Sequence, residues 1–345
     1  MILFDEMIVS DNATKILADE IKLNYPPGQI VLICGKTYSK NILNSLDLNQ
    51  FERFEVTQGS TKEITKFNNQ FKAKNISTIV AVGGGKVLDF SKRLSFKRSL
   101  YLICAPTVIS NDGLCSPIAV LKGEDGITYS LKGKSPDAIY IDLAHILSAP
   151  KKYLISAQAD LLTNLSACND WIIASNKGYD KISSYAYFIA KQSALDVLLF
   201  DTSLDSRTLI KRLIHCQILS GQAMLIAGTS RPCSGSEHLL SHAIDYLKYG
   251  KNILHGHQVG SLSLFTLYLQ NDLRPKYLLK AQTLGINLDW TTNLKEVSDD
   301  ILKKIFSTSK IMRTNRYTVL DTLDENIFIE KVNDFRKAIK IFIKS

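Results

Sequence analysis

Four short apolar runs punctuate the first part of the chain: residues 30–34, 79–82, 100–104 and 138–142, the last closing on Asp142. Each is continuous rather than alternating, and helical-looking stretches lie between them. Strands that are apolar on both faces belong to a parallel sheet covered on both sides. The first three runs end in turn-forming residues: Gly35, then Gly83, then Ala105-Pro106-Thr107. Residues 118–121, the turn Gly123-Glu124-Asp125-Gly126 and residues 127–129 predict a hairpin. After Pro150 the texture changes. Glycine and proline thin out, and helical spacing predicts helices over 156–175, 183–199, 206–227, 236–247 and 257–270, with more to the end. A boundary near 150–155 follows, with an α/β domain over 1–153 and an all-α domain over 154–345. No internal repeat or low-complexity tract is present.

Composition changes this picture little. The 345 residues are 45% hydrophobic and 22% charged, ordinary for a globular chain with one or two cores. No run approaches the roughly 18–20 apolar residues that span a bilayer. The start of the chain does not resemble a secretory leader, because Asp5 and Glu6 interrupt its brief apolar stretch. Cys34, Cys104, Cys115, Cys168, Cys216 and Cys233 are widely scattered and form no CxxC pair, which predicts reduced core thiols and a cytoplasmic location. The net charge of +9 is spread out, with no dense basic run and no interleaved aromatics. Nucleic acid is therefore not the expected partner, and the excess charge suits a small anionic substrate instead.

Candidate chemistry begins at VGGGKVLDFSK, Val82 to Lys92, where an apolar run meets a helical segment through Gly83, Gly84 and Gly85. The unpaired N–H groups and dipole of a helix start attract phosphate, and glycine lets a pyrophosphate approach closely. Lys86 adds charge. A tight structural turn gives the same pattern, so this stretch alone leaves both readings open. The loop PTVISNDGLCSP, residues 106–117, follows the next apolar run, at the strand end where open parallel sheets bind ligands. Histidines 238, 242, 255 and 257 cluster, although the chain has only six. His238 and His242 stand four apart on one helical face. Such clustering points to a metal, since imidazole is a common neutral ligand. A carboxylate is still needed, and Asp160 among apolar neighbours is the candidate; a helix-start aspartate favoured by the dipole is the other reading.

These motifs together resemble the superfamily that joins dehydroquinate synthase, glycerol dehydrogenase and the iron-containing alcohol dehydrogenases. Within it the chain is most similar to the sn-glycerol-1-phosphate dehydrogenases. Four blocks carry the resemblance, in the family's order from about residue 80 to 265: VGGGKVLDFSK, APTVISNDGLCSP, ADLLTNLSACNDW, and GTSRPCSGSEHLLSHAIDYL with LHGHQVG. Ser230 to His238 discriminates best. The resemblance implies a dehydroquinate synthase-like fold: an N-terminal Rossmann-like α/β domain, an all-α C-terminal domain, and an active site in the cleft between them. It implies NAD or NADP held by Gly83, Gly84, Gly85, Lys86, Asp89, Thr107, Ser110 and Ser116. It also implies a metal, Zn2+ with Fe2+ or Ni2+ as alternatives, on Asp160, His238 and His255. Asp112 and His242 become the catalytic candidates, His242 orienting a ligand or relaying a proton.

The implied reaction interconverts dihydroxyacetone phosphate and sn-glycerol 1-phosphate by hydride transfer, in a homo-oligomer, a dimer being the simplest case. Asn111, His257 and Ala159 depart from the family's usual His, Glu and Gly, which keeps two alternatives open: another phosphorylated ketose or polyol, and a dehydroquinate synthase-like cyclase. A non-enzymatic binding protein is a further rival, opposed by the complete ligand set. For the substrate phosphate, Arg231, Ser234, Ser236 and Lys251 are near the histidines in sequence, with a structural ion pair the equal alternative for Arg231. The first run ends in Gly35-Lys36-Thr37 with no acid, which leaves room and charge for a 2′-phosphate.

Overall fold

The computed structural model describes residues 4–200, 205–313 and 315–344. The chain divides into two compact units. One runs to Tyr153 and takes in the start of a later helix up to Ile214; the other holds the chain from Leu154 and again from His215.

In the first unit the elements run β1 (Glu6–Ser10), α1 (Ala13–Asn24), β2 (Ile30–Gly35), α2 (Tyr38–Ser45), β3 (Glu52–Val56), α3 (Thr61–Gln70), β4 (Thr78–Gly83), α4 (Gly85–Arg98) and β5 (Tyr101–Pro106). The hairpin β6 (Ile118–Lys122) and β7 (Thr128–Lys132), then β8 (Ala138–Asp142) and α5 (Leu143–Ser148), complete it. Six strands form one parallel sheet in the order β1-β8-β5-β4-β2-β3, and the hairpin stands apart as a two-stranded antiparallel ribbon. The continuous apolar runs work as expected. On β2 and β4, Val31, Ile33, Ile79 and Ala81 enter the core on one face, while Leu32, Cys34, Val80 and Val82 enter the core on the other. Each face is covered by helices, so every second residue is as dry as its neighbour.

Two strands were not evident as runs. EMIVS of β1 and ERFEV of β3 are the sheet edges, each paired on one side only, and their polar residues face solvent there. The connections leave β2 in opposite directions, to β3 on one side and later to β4 on the other. This strand-order reversal is where an open α/β sheet forms its crevice, at the carboxyl ends of the two strands. Those ends are Gly35 and Gly83.

In the second unit the chain is helical: α6 (Lys151–Leu162), α7 (Asn164–Asn176), α8 (Ser184–Leu198), α9 (Ser206–Ala227, its start counted with the first unit), α10 (Ser236–Tyr246), α11 (His255–Leu269), α12 (Pro275–Thr283), α13 (Asp299–Met312) and α14 (Glu325–Lys344). The single helix expected over 156–175 is two. Thr163 breaks it, its N–H and hydroxyl both turning back to the Asp160 carbonyl at 3.0 and 2.6 Å. Helix α11 is buried almost all round and forms the axis on which α10, α12 and α14 pack. All six cysteines are buried and none is in a disulfide. Among the described residues no helix is long and apolar enough to cross a membrane.

Candidate functional site

Gly256 explains how the second unit brings its polar cluster together. A Cβ there would lie 2.0 Å from the Ser156 carbonyl oxygen, and one at Gly260 would lie 2.9 Å from the Ala159 Cβ. Two glycines one turn apart let α11 touch the α6 backbone, and that contact sets His255, the first residue of α11, beside Asp160. Asp160 sits in the last turn of α6, not at a helix start. The dipole opposes a carboxylate there, so the helix-start reading has no basis. Helix α10 supplies His238 from its first turn.

The result is a compact donor set. Asp160 Oδ1 lies 3.9 Å from His238 Nε2 and 3.8 Å from His255 Nε2. One ligand atom from each residue lies within 4.8 Å of the others, the one such group of three or more among the described residues. Bonds of about 2.0–2.2 Å in a tetrahedral shell put neighbouring donors about 3.3–3.6 Å apart. A divalent cation therefore fits with small side-chain adjustment. Asp160 is buried and His255 is about one-third exposed, which leaves an open side. His242 and His257 are not in the set; His242 stands one turn along α10, its ring 6.4 Å from that of His238.

Protonation suits the same purpose. Burial, then the charge of His255, holds His238 well below the usual imidazole range. Burial, then the charge of Arg313, does the same for His242. Both rings are neutral near pH 7, as ligands and proton acceptors must be. Glu237 fixes the tautomer of His238: its Oε1 accepts from Nδ1 at 2.8 Å, which turns the Nε2 lone pair toward Asp160. Glu237 also accepts from Gly235 N–H at 2.6 Å and from the Ser166 hydroxyl at 2.9 Å. Asp170 beneath it accepts from the N–H groups of Ser236 and Val319 at 2.6 and 2.8 Å. Both buried carboxylates thus hold the start of α10, where the dipole favours them. Burial raises both, and the neighbouring Glu237 adds to the rise of Asp170, to about 6.

Around the loop that precedes α10, three arginines gather. Arg231 is bound to Asp180 at 2.8 Å and to the Tyr317 carbonyl at 2.6 Å. Arg313 and Arg316 each donate to the Ser230 hydroxyl at 2.8 Å, and Arg316 also reaches the Ser234 carbonyl. Sequence reasoning missed Arg313 and Arg316, which lie about 80 residues downstream in a stretch with no motif. It also missed Glu237, whose signal was present: an acid directly before a candidate ligand in a buried helix. Lys251 is exposed and donates to the Thr292 carbonyl at 2.6 Å.

In the first unit the glycine turn has three distinct members. A Cβ at Gly83 would fall 2.7 Å from Val87, so that glycine is needed for α4 to pack on β4. Gly84 is the N-cap and, having no side chain, leaves the first N–H groups of α4 without a side-chain cap. A Cβ at Gly85 would meet nothing within 4 Å, so open space lies before the helix start. Lys86 is the next residue of the same turn. Thr107 N–H binds the Gly83 carbonyl at 3.0 Å, which ties the following loop, with Ser110 and Asp112, to the turn. Fully buried Lys92 pins that loop from below, pairing with Asp89 at 2.8 Å, the Gly113 carbonyl at 2.9 Å and the Ser116 hydroxyl at 3.4 Å.

Residues 18–150 match the family model for iron-containing alcohol dehydrogenase. The chain is 32% identical over 301 residues to the glycerol-1-phosphate dehydrogenase (NAD(P)+) of Pyrococcus horikoshii, covering 85% of each chain. It is 30% identical over 334 residues to the enzyme of that name from Thermoplasma volcanium, covering 93% of this chain and 92% of that one. Among solved structures, a probable glycerol dehydrogenase from Sinorhizobium meliloti shares the fold, with a TM-score of 0.75 over 98% of this chain and 97% of the other at 18% identity.

Proposed function

The chain belongs to the glycerol-1-phosphate dehydrogenase family of the iron-containing alcohol dehydrogenases, and on that premise we propose that it oxidises the secondary alcohol of sn-glycerol 1-phosphate and, in reverse, reduces dihydroxyacetone phosphate. The family is linked to NAD(P) and depends on a metal. The donor set of Asp160, His238 and His255, with Glu237 orienting His238, is the observation that supports a redox site in this chain most strongly. The names of the relatives favour this reading over a different phosphorylated ketose and over a cyclase.

Asp160, His238 and His255 are the ligands of a divalent cation; two imidazoles and a carboxylate suit zinc, iron or nickel, and zinc is our first choice. When bound, that cation supplies Lewis acidity toward the substrate's alcohol or carbonyl oxygen. When bound, the nicotinamide carries the hydride. The protein's own groups do the rest. The bare start of α4 at Gly83, Gly84 and Gly85 binds the pyrophosphate, with Lys86 adding charge. Thr107 and Ser110 contact the cofactor from the loop that Asp89 and Ser116 steady through Lys92. Asp112 lies on that loop as the candidate beside the nicotinamide and substrate. Gly35-Lys36-Thr37 leaves room for a 2′-phosphate, in keeping with use of both NAD and NADP. In oxidation, neutral His242 takes the proton from the hydroxyl oxygen while the hydride leaves the carbon that bears that oxygen, giving the ketone; in reduction it returns that proton.

The dispersed cysteines, none of them in a disulfide, support a cytoplasmic location. We propose that the protein works as a homodimer, which light scattering checks. The test of function is a metal-replete assay with dihydroxyacetone phosphate and NADH or NADPH, followed by chirality analysis of the product. Formation of sn-glycerol 1-phosphate is expected; the opposite enantiomer, or no cofactor turnover, would reject the proposal.

A further inference from the structure

Three arginines gather around Ser230, and they differ in whether a carboxylate lies within ion-pair distance. Arg231 has a carboxylate partner in Asp180. Arg313 and Arg316 have none within ion-pair distance among the described residues; the bonds found go to a hydroxyl and a carbonyl oxygen. The two nearby buried acids act on Arg316 only at a distance, without a direct ion pair. Glu237 is engaged by Gly235, Ser166 and His238, and Asp170 by two backbone N–H groups. Desolvated guanidiniums of like charge repel, and burial followed by the charge of Arg313 pushes Arg316 down to about 9.

Unsatisfied donors gather in the same loop. The buried Nη2 of Arg231 and the buried hydroxyls of Ser234 and Ser236 have no hydrogen-bond partner among the described residues. Each such group costs stability unless something accepts from it. Arg313 itself is only partly buried, so a solute can reach it. The cluster is also beside the donor set. Ser234, which Arg316 holds, is four residues before His238, and α13, which ends next to Arg313, packs on α10.

We propose that Arg313, backed by Arg316 and the Ser230 hydroxyl, binds the phosphate of the substrate and sets the preference for a phosphorylated polyol over a free one. The forked guanidinium suits two phosphate oxygens, and a dianion discharges the cluster. Arg231, pinned by Asp180 and Tyr317, holds the loop in place. The assignment rests on the proposed reaction for the identity of the ligand, and on the cluster alone for its chemistry.

The test uses the zinc-loaded full chain as wild type, Arg313→Gln and Arg313→Lys. In kinetics with sn-glycerol 1-phosphate, Arg313→Gln raises KM about a hundredfold, with kcat changed far less, and Arg313→Lys recovers part of the loss. The KM values for NAD+ and NADP+, and whatever turnover of glycerol the wild type gives, stay as in the wild type. In calorimetry, inorganic phosphate binds the wild type and binds Arg313→Gln much more weakly. Equal losses with glycerol and its phosphate, a KM change for NADP+ alone, or unchanged phosphate binding would each overturn the assignment. If the wild type oxidises no phosphorylated polyol, the functional reading falls; loss of inorganic phosphate binding in Arg313→Gln still upholds the anion site. If the wild type does oxidise it and Arg313→Gln matches it, only the anion site falls.

Discussion

Three donors converge on the carboxylate of Glu237: the Gly235 N–H, the Ser166 hydroxyl and the His238 ring. The Gly235 N–H and the His238 ring share Oε1, so Glu237→Leu, which has no acceptor, leaves both without a partner. His238 then loses the partner that selects its tautomer. We expect zinc affinity to fall about 10–100-fold, as for other residues that orient a ligand. Competition with a chromophoric chelator measures it, while circular dichroism reports an unchanged fold. An affinity equal to wild type would mean that packing alone orients His238. At this scale the sequence was partly legible. The four clustered histidines and Asp160 stood out as candidates because imidazoles are scarce and an acid among leucines needs a reason; the choice of His238 and His255 among them came from the resemblance. Arg313 and Arg316 were not, because a surface arginine and a ligand-binding arginine are the same letter until folding sets one beside Ser230.

At the level of elements, the join of β4 to α4 separates two kinds of glycine. Gly83→Ala forces a Cβ to within 2.7 Å of Val87 and should cost about 1–3 kcal/mol in denaturant unfolding. Gly85→Ala meets no protein atom and should leave stability within about 1 kcal/mol. It nevertheless places a methyl group where a pyrophosphate is proposed to approach, and we expect KM for NAD(P)+ to rise about tenfold. Equal cofactor KM in wild type and Gly85→Ala would remove the glycine turn from the cofactor site. The four inner strands were legible as continuous apolar runs because both of their faces are covered. The edge strands β1 and β3 were not, since a strand paired on one side tolerates Glu and Arg. The break at Thr163 escaped notice for a similar reason: one tightened turn leaves the apolar spacing of α6 and α7 almost unchanged.

Across the whole molecule, metal binding and stability should be linked. A ligand that binds the folded state at a hundredfold its Kd stabilises by about 2.7 kcal/mol. Chelation should therefore abolish turnover and lower Tm, and zinc should restore both. Asp160→Asn should show no such rise in Tm on adding zinc. A wild-type Tm indifferent to zinc would count against the donor set as a metal site. The amino-acid sequence by itself determined the division into a sheet-bearing and a helical part, because hydrophobic period is a local property. It also carried the glycine turn and the residue types of the donor set. Tertiary structure decided which histidines lie with Asp160, that Glu237 orients one of them, and that two downstream arginines surround Ser230. Those relations depend on how closely helices approach, and the approach is set by contacts such as Gly256 on Ser156, between residues 100 positions apart.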